Sequence, residues 1–228
     1  MMKKKLAIAC GAALLGLTSM AQAELTANIG VTSNYLWRGV SQTGDDAAVS
    51  GGIDWAHDSG FYLGTWASNI DWGTGSGAEV DFYGGFANEI GDFGYDVGLI
   101  YYYYPTTGFE DSDFTEISLS GSWKFLEAGL AYTINGDADS DAPFSDGDIY
   151  YHIGASFDVA ETWSVAGTYG YYDFDASKAW GDIDYGHVQL DVTKAAGDWG
   201  DFTFTVSKAD EESGNDDVKF IASWGKSF

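Results

Sequence analysis

A two-residue period places a set of charged and titratable side chains on one face of the chain: Arg38, Asp54, Glu79, Asp81, Glu116, His152, His187, Asp191 and Lys219, joined by Asp96, Asp158 and Gln189. Counting charges alone, that face carries seven acids against two bases. If such residues line a water-filled, low-dielectric interior, they focus a negative potential that draws cations and basic solutes. The same residues also suit a sealed network of ion pairs and hydrogen bonds in which Arg38 compensates buried acids. Both readings stay open at the level of sequence. A second constellation, Asp137, Asp139 and Asp141, offers oxygen ligands at every second position, as a hard cation such as calcium requires. Ala142 stands where a calcium loop of the helix–loop–helix type needs Gly, and Asp148 where it needs a bidentate Glu, so a solvated acidic loop is the favoured reading. Catalysis has little support. His152 and His187 fall on the interior parity, His57 lies in a short turn, and no Ser–His pairing follows from the spacing. No enzymatic activity and no cofactor are expected.

The chain has 35 Asp and Glu against 10 Lys and Arg, a formal charge of −25. That balance repels a phosphate backbone and excludes nucleic acid as a partner. The one basic cluster, Lys3 to Lys5, opens a segment that reads as a secretory signal: Leu6 to Met20 is apolar, and Ala21-Gln22-Ala23 is a small-x-small cleavage site. Residues 1–23 are therefore expected to be removed, leaving 24–228 with all 35 acids and seven of the ten bases. Cys10 suggests a lipoprotein signal, but it precedes most of the apolar stretch instead of following it. Without Cys10 the exported chain has no cysteine, in a compartment where disulfides persist.

The elements that must position these side chains are strands. From Leu25 onward apolar residues recur at every second position, as in Val80, Phe82 and Phe86 against Glu79, Asp81 and Tyr83, or Ile117, Leu119 and Trp123 against Glu116, Ser118 and Ser120. The first strand reads through Val31, Tyr35 and Trp37 as far as Arg38. About twelve strands follow, each of roughly the length that a tilted strand needs to cross hydrocarbon. Ten or fourteen stay possible, because Phe61 to Asn69 has large apolar residues at both parities. No run after Ala23 approaches the roughly 18–20 apolar residues of a spanning helix. Short links, such as Glu89 to Asp92, alternate with mostly longer ones, such as Pro105 to Asp113. Aromatics gather at strand ends, with Tyr35, Trp37, Trp55, Tyr101, Tyr103, Tyr169 and Tyr171 assigned to the loop end and Phe93, Trp123, Trp163, Phe202 and Phe228 to the turn end. Unpaired sheet edges are untenable in lipid, so the expected fold is all-β, a single closed antiparallel transmembrane β-barrel in one domain. Lys226 departs from the lipid-side pattern, at a cost of about 0–1 kcal/mol near an interface. A soluble sandwich also alternates, but does not call for girdles or alternating loop lengths.

The segment Ser33-Asn34-Tyr35-Leu36-Trp37-Arg38-Gly39-Val40-Ser41-Gln42-Thr43 resembles the TorF family of porin-type bacterial proteins. The resemblance continues through Gly51 to Asn69 and Glu79 to Gly94. It implies an outer-membrane barrel acting as a pore. The combined expectation is a passive channel for small hydrophilic solutes, weakly cation-preferring. The alternative is a sealed surface barrel whose acidic loops bind divalent cations or partners. Expected partners are outer-membrane lipid, lipopolysaccharide reached through shared divalent ions, and the barrel assembly machinery, to which a terminal aromatic such as Phe228 is presented.

Overall fold

The structure is a computed structural model and describes residues 23–228, apart from 74, 107, 110, 140, 141, 177–180 and 182. In chain order the strands are β1 (Glu24–Thr32), β2 (Leu36–Trp37), β3 (Val40–Ser41), β4 (Ala48–Ala56), β5 (Phe61–Asp71), β6 (Ser76–Ile90) and β7 (Phe93–Tyr103), followed by β8 (Phe114–Trp123), β9 (Leu126–Gly136), β10 (Ile149–Ala160), β11 (Trp163–Asp173), β12 (Tyr185–Ala195), β13 (Asp201–Ala209) and β14 (Lys219–Ser227). All but β2 and β3 form one closed barrel of twelve strands. Each barrel strand pairs with its sequence neighbour, and β1 closes the ring by pairing with both β4 (Ile29 opposite Gly51) and β14 (Val31 opposite Trp224). Every ladder is antiparallel, as sequential strands joined by short links require.

The two faces separate as the alternation demands. Leu25, Ile53, Leu63, Leu119, Leu190 and Phe220 are exposed on the outside. Glu79, Asp81, Glu116, His187 and Asp191 are buried within. The ambiguous segment resolves into the single strand β5, with Phe61 and Leu63 outward and Tyr62 and Trp66 inward. Inward glycines make room for inward rings. A Cβ on Gly85 would lie 2.5 Å from the Tyr62 hydroxyl.

Two expectations are corrected here. The first strand ends at Thr32, not Arg38, and the chain turns into the lumen, so Tyr35 and Trp37 are buried inside instead of belonging to an outer girdle. The local cause is a turn in which the Thr32 hydroxyl donates to the Asn34 carbonyl at 2.8 Å. Trp55 pairs with Leu25 near the start of β1 and so lies at the turn end of the barrel, not the loop end. The remaining assignments agree with the pairing: Tyr103 and Tyr169 are exposed at the loop end, and Phe93, Trp123, Trp163 and Phe202 at the turn end.

Candidate functional site

The segment after β1 folds into the barrel as a small hairpin. β2 and β3 pair with Leu36 opposite Ser41 and Trp37 opposite Val40, which leaves Arg38 and Gly39 as a two-residue tip. Their φ values are +49° and +85°. Positive φ at both tip positions is the signature of the tight turns that join twisted antiparallel strands. Gly39 is required for a second reason, since a Cβ there would lie 2.6 Å from the His187 Cβ.

The tip reaches the far wall. Arg38 donates from both terminal nitrogens to the two carboxylate oxygens of Glu116 on β8, each at 2.7 Å. Its guanidinium carbon lies 4.2 Å from the ring centres of Trp37 and Tyr150 and 5.0 Å from that of Tyr172. The Tyr102 hydroxyl donates to the same carboxylate at 3.2 Å. Glu116 and Tyr172 have 0% exposure. A bidentate pair between charged groups that is stacked on rings is among the stronger polar contacts available to a protein. Trp37 fills the neighbouring space against Tyr102, Phe114, Phe144 and Tyr172, with ring centres 5.7–6.0 Å away. The hairpin has further anchors, two of them to side chains of the barrel wall. Tyr35 donates to Glu79 on β6 at 2.7 Å, and Lys219 on β14 pairs with Asp45 at 2.8 Å. Beyond the hairpin, toward the loops, a cavity of about 540 Å³ is lined by Trp37, Gln42, Asp45, Trp72, Tyr104 and Asp111, among others.

The other residues singled out from the sequence also face the lumen. Asp54 accepts from Tyr83 at 2.5 Å and Asn28 at 3.3 Å. Asp96 accepts from Tyr62 at 3.1 Å, and Asp191 from Thr205 at 2.5 Å and Gln189 at 3.0 Å. His187 shares a 2.9 Å hydrogen bond with Tyr150, whose ring stacks between His187 and His152, and His152 meets Glu127 at 3.3 Å. Asp158 is exposed at the turn-side mouth. Among the described residues no Lys or Arg pairs with Asp54, Asp81, Asp96 or Asp191. Both basic members of the set are engaged, Arg38 with Glu116 and Lys219 with Asp45.

Sequence reasoning assigned no role to Tyr62 and Tyr83, which donate to Asp96 and Asp54, to Tyr150, which partners His187, or to Glu127. Tyr62, Tyr83, Tyr150 and Glu127 sit on the inward parity, so the signal was present. Tyr35 and Trp37 gave no such signal, because they continue the outward parity of β1.

Asp141 lies outside the described residues. Asp139 closes a turn by accepting from the Ala142 amide at 2.8 Å, and no group of three metal-ligating side chains is assembled among the described residues. Asp148 is instead a structural acceptor for the backbone N–H of Phe144 at 2.6 Å and of Asp175 at 2.9 Å. Burial pushes its carboxyl up to about 6, against the lowering effect of those donors. One Ser–His contact does exist, although spacing did not suggest it. His57 Nδ1 and Ser59 Oγ are 2.7 Å apart, and both are exposed in the β4–β5 turn that the contact helps to close.

A closed antiparallel barrel of twelve strands, apolar outside and polar within, defines the class. Among solved structures it is similar to the KdgM porin, with a TM-score of 0.59 and 8% identity over 89% of this chain and 98% of that one. The KdgM porin in complex with disordered oligogalacturonate aligns with a TM-score of 0.57 and 8% identity over 90% and 98%. The NanC porin aligns with a TM-score of 0.50 and 12% identity over 90% and 98%. At these identities the likeness is one of fold. A search of curated proteins gave no match. A family model described as "Bacterial protein of unknown function (Gcw_chp)" matches residues 17–222, and the chain belongs to that family.

Proposed function

We propose that the protein is an outer-membrane channel of porin type, passing small hydrophilic cations by passive diffusion through a lumen that the β2–β3 hairpin constricts. The observation that carries the reading is the excess of acidic over basic side chains in the lumen and how they are paired. Among the described residues its two bases are each held by a carboxylate, while Asp54, Asp81, Asp96 and Asp191 have no basic partner. A wall with surplus acid in a narrow passage favours cations.

The outer-membrane setting rests on solvation. An outer surface bearing Leu25, Ile53, Leu63, Leu119, Leu190 and Phe220 is untenable in water at this extent, whereas closure leaves no strand edge unpaired in lipid. The signal-like residues 1–23, the resemblance to TorF porins and the fold shared with KdgM and NanC support the same setting. The short turns would face the periplasm and the longer loops the outside. One carry-over is disfavoured: galacturonate is an anion, and an acidic lumen repels a polyanion of that kind.

A second reading has its own observation. Glu116 and Tyr172 are wholly buried beneath the hairpin, as expected of a sealed barrel whose acidic loops act at the surface. Reversal potentials in planar bilayers under a KCl gradient separate the two. The channel reading expects a cation-signed potential that falls toward zero in Asp54→Asn with Asp191→Asn. An anion-signed potential, or silence from both the wild type and a barrel lacking the hairpin, removes it.

A further inference from the structure

The groups that hold Arg38 belong to the barrel wall, while Arg38 arrives on a separate hairpin. Glu116 comes from β8, Tyr102 from β7, Tyr150 from β10 and Tyr172 from β11. We propose that these wall residues form a recognition site for small solutes bearing a guanidinium group, and that Arg38 occupies it in the resting barrel as a built-in competitor. The inference deepens the channel reading by naming a solute class. It rests on the barrel and its hairpin.

The geometry selects the chemistry. Two parallel contacts of 2.7 Å to both oxygens of one carboxylate require a planar fork of donors. Ring faces of Tyr150 and Tyr172 at 4.2 and 5.0 Å favour a flat, weakly hydrated cation over a compact ammonium or a metal ion. The Tyr102 hydroxyl, from the wall, also donates to the carboxylate at 3.2 Å, so the acceptor keeps an orienting contact when the guanidinium leaves. With 1% of the Glu116 side chain exposed and 10% of Arg38, a solute gains the site only by displacing Arg38. Binding is thereby coupled to withdrawal of the hairpin, because a ligand that prefers the undocked state shifts the population toward it.

The test uses the full barrel refolded in detergent, with heat-modifiable gel mobility as the check on folding and the unfolding temperature as the readout. The probes are methylguanidinium, methylammonium and potassium chlorides, all well below denaturing concentrations. Arg38→Ala vacates the site. Methylguanidinium should raise its unfolding temperature at concentrations about tenfold below those at which methylammonium acts, because only the planar cation makes the bidentate, stacked contact. The response should vanish in Arg38→Ala with Glu116→Gln, and the wild type should require more probe because Arg38 competes. Equal responses to the two organic cations, a response that survives Glu116→Gln, or none in folded Arg38→Ala overturns the proposal. If Arg38→Ala does not fold, Arg38→Gln carries the same comparison. Since no current is measured, failure here with cation conductance intact removes the site alone, and binding without conductance removes the channel reading alone.

Discussion

Removing the Arg38 guanidinium would strand the Glu116 carboxylate in a pocket where the Tyr102 hydroxyl is its remaining hydrogen-bond donor among the described residues. Breaking a buried pair on one side costs roughly 3–5 kcal/mol. Arg38→Ala is therefore expected to loosen the hairpin by about that amount, seen as loss of amide-exchange protection across Tyr35 to Gln42 while the barrel ladders stay protected. Gly39→Ala should act in the same direction, through about 1–3 kcal/mol for the strained positive φ and a further cost from a contact with the His187 Cβ that only a shift of backbone relieves. Asp148 gives a pH dependence of opposite sense to most carboxylates. Its folded value of about 6 lies above the unfolded value of about 4, so its contribution to stability is complete below pH 4 and is lost as pH rises through 6. Thermal unfolding from pH 7 down to pH 5 should show that gain, and Asp148→Asn should flatten it. Much at this scale was legible from parity alone, including the inward placement of Asp54, Glu79, Glu116, His187 and Asp191. That Arg38 compensates a buried acid was one of the two readings the sequence left open, but which acid was not legible, because Glu116 lies 78 positions away and no local pattern encodes that distance.

Strand by strand, the two-residue alternation determines which side chains meet lipid and which meet the lumen. The contrast is sharpest between neighbours. Leu119→Lys, which places a charge on the apolar exterior, is expected to cost about 2–4 kcal/mol if it lies near the bilayer midplane, whereas Ser118→Lys, directed into the polar lumen, should cost far less. Refolding yields into lipid vesicles across a denaturant series would measure both. Alternation was legible because one face of each strand needs apolar residues and the other does not. It failed at Ser33, where the parity of Leu25 to Val31 runs on through Tyr35 and Trp37 although the backbone has left the sheet. Trp37 packs on Tyr102, Phe114 and Tyr172 and Tyr35 on Trp66 inside the lumen, and ring character alone does not distinguish a ring facing lipid from a ring facing other rings. Trp55 was placed at the wrong end for a related reason, since aromatics gather at both rims and only the pairing with Leu25 says which.

For the molecule as a whole, closure of β1 on β14 removes every free edge of the barrel sheet and leaves one polar interior with a folded segment across it. The twelve-strand count and the alternation of short turns with longer loops could be anticipated, because both follow from the spacing of turn residues along the chain. Whether the passage is open could not, because it depends on where a single loop folds. The direct measurement is single-channel conductance in planar bilayers for the wild type beside a barrel in which residues 34–46 are replaced by a short Gly-Ser link. The expected result is a small cation-selective conductance in the wild type that grows several-fold, still cation-selective, once the hairpin is gone. Equal conductance with and without the hairpin, or none in either, would contradict a lumen that the hairpin constricts.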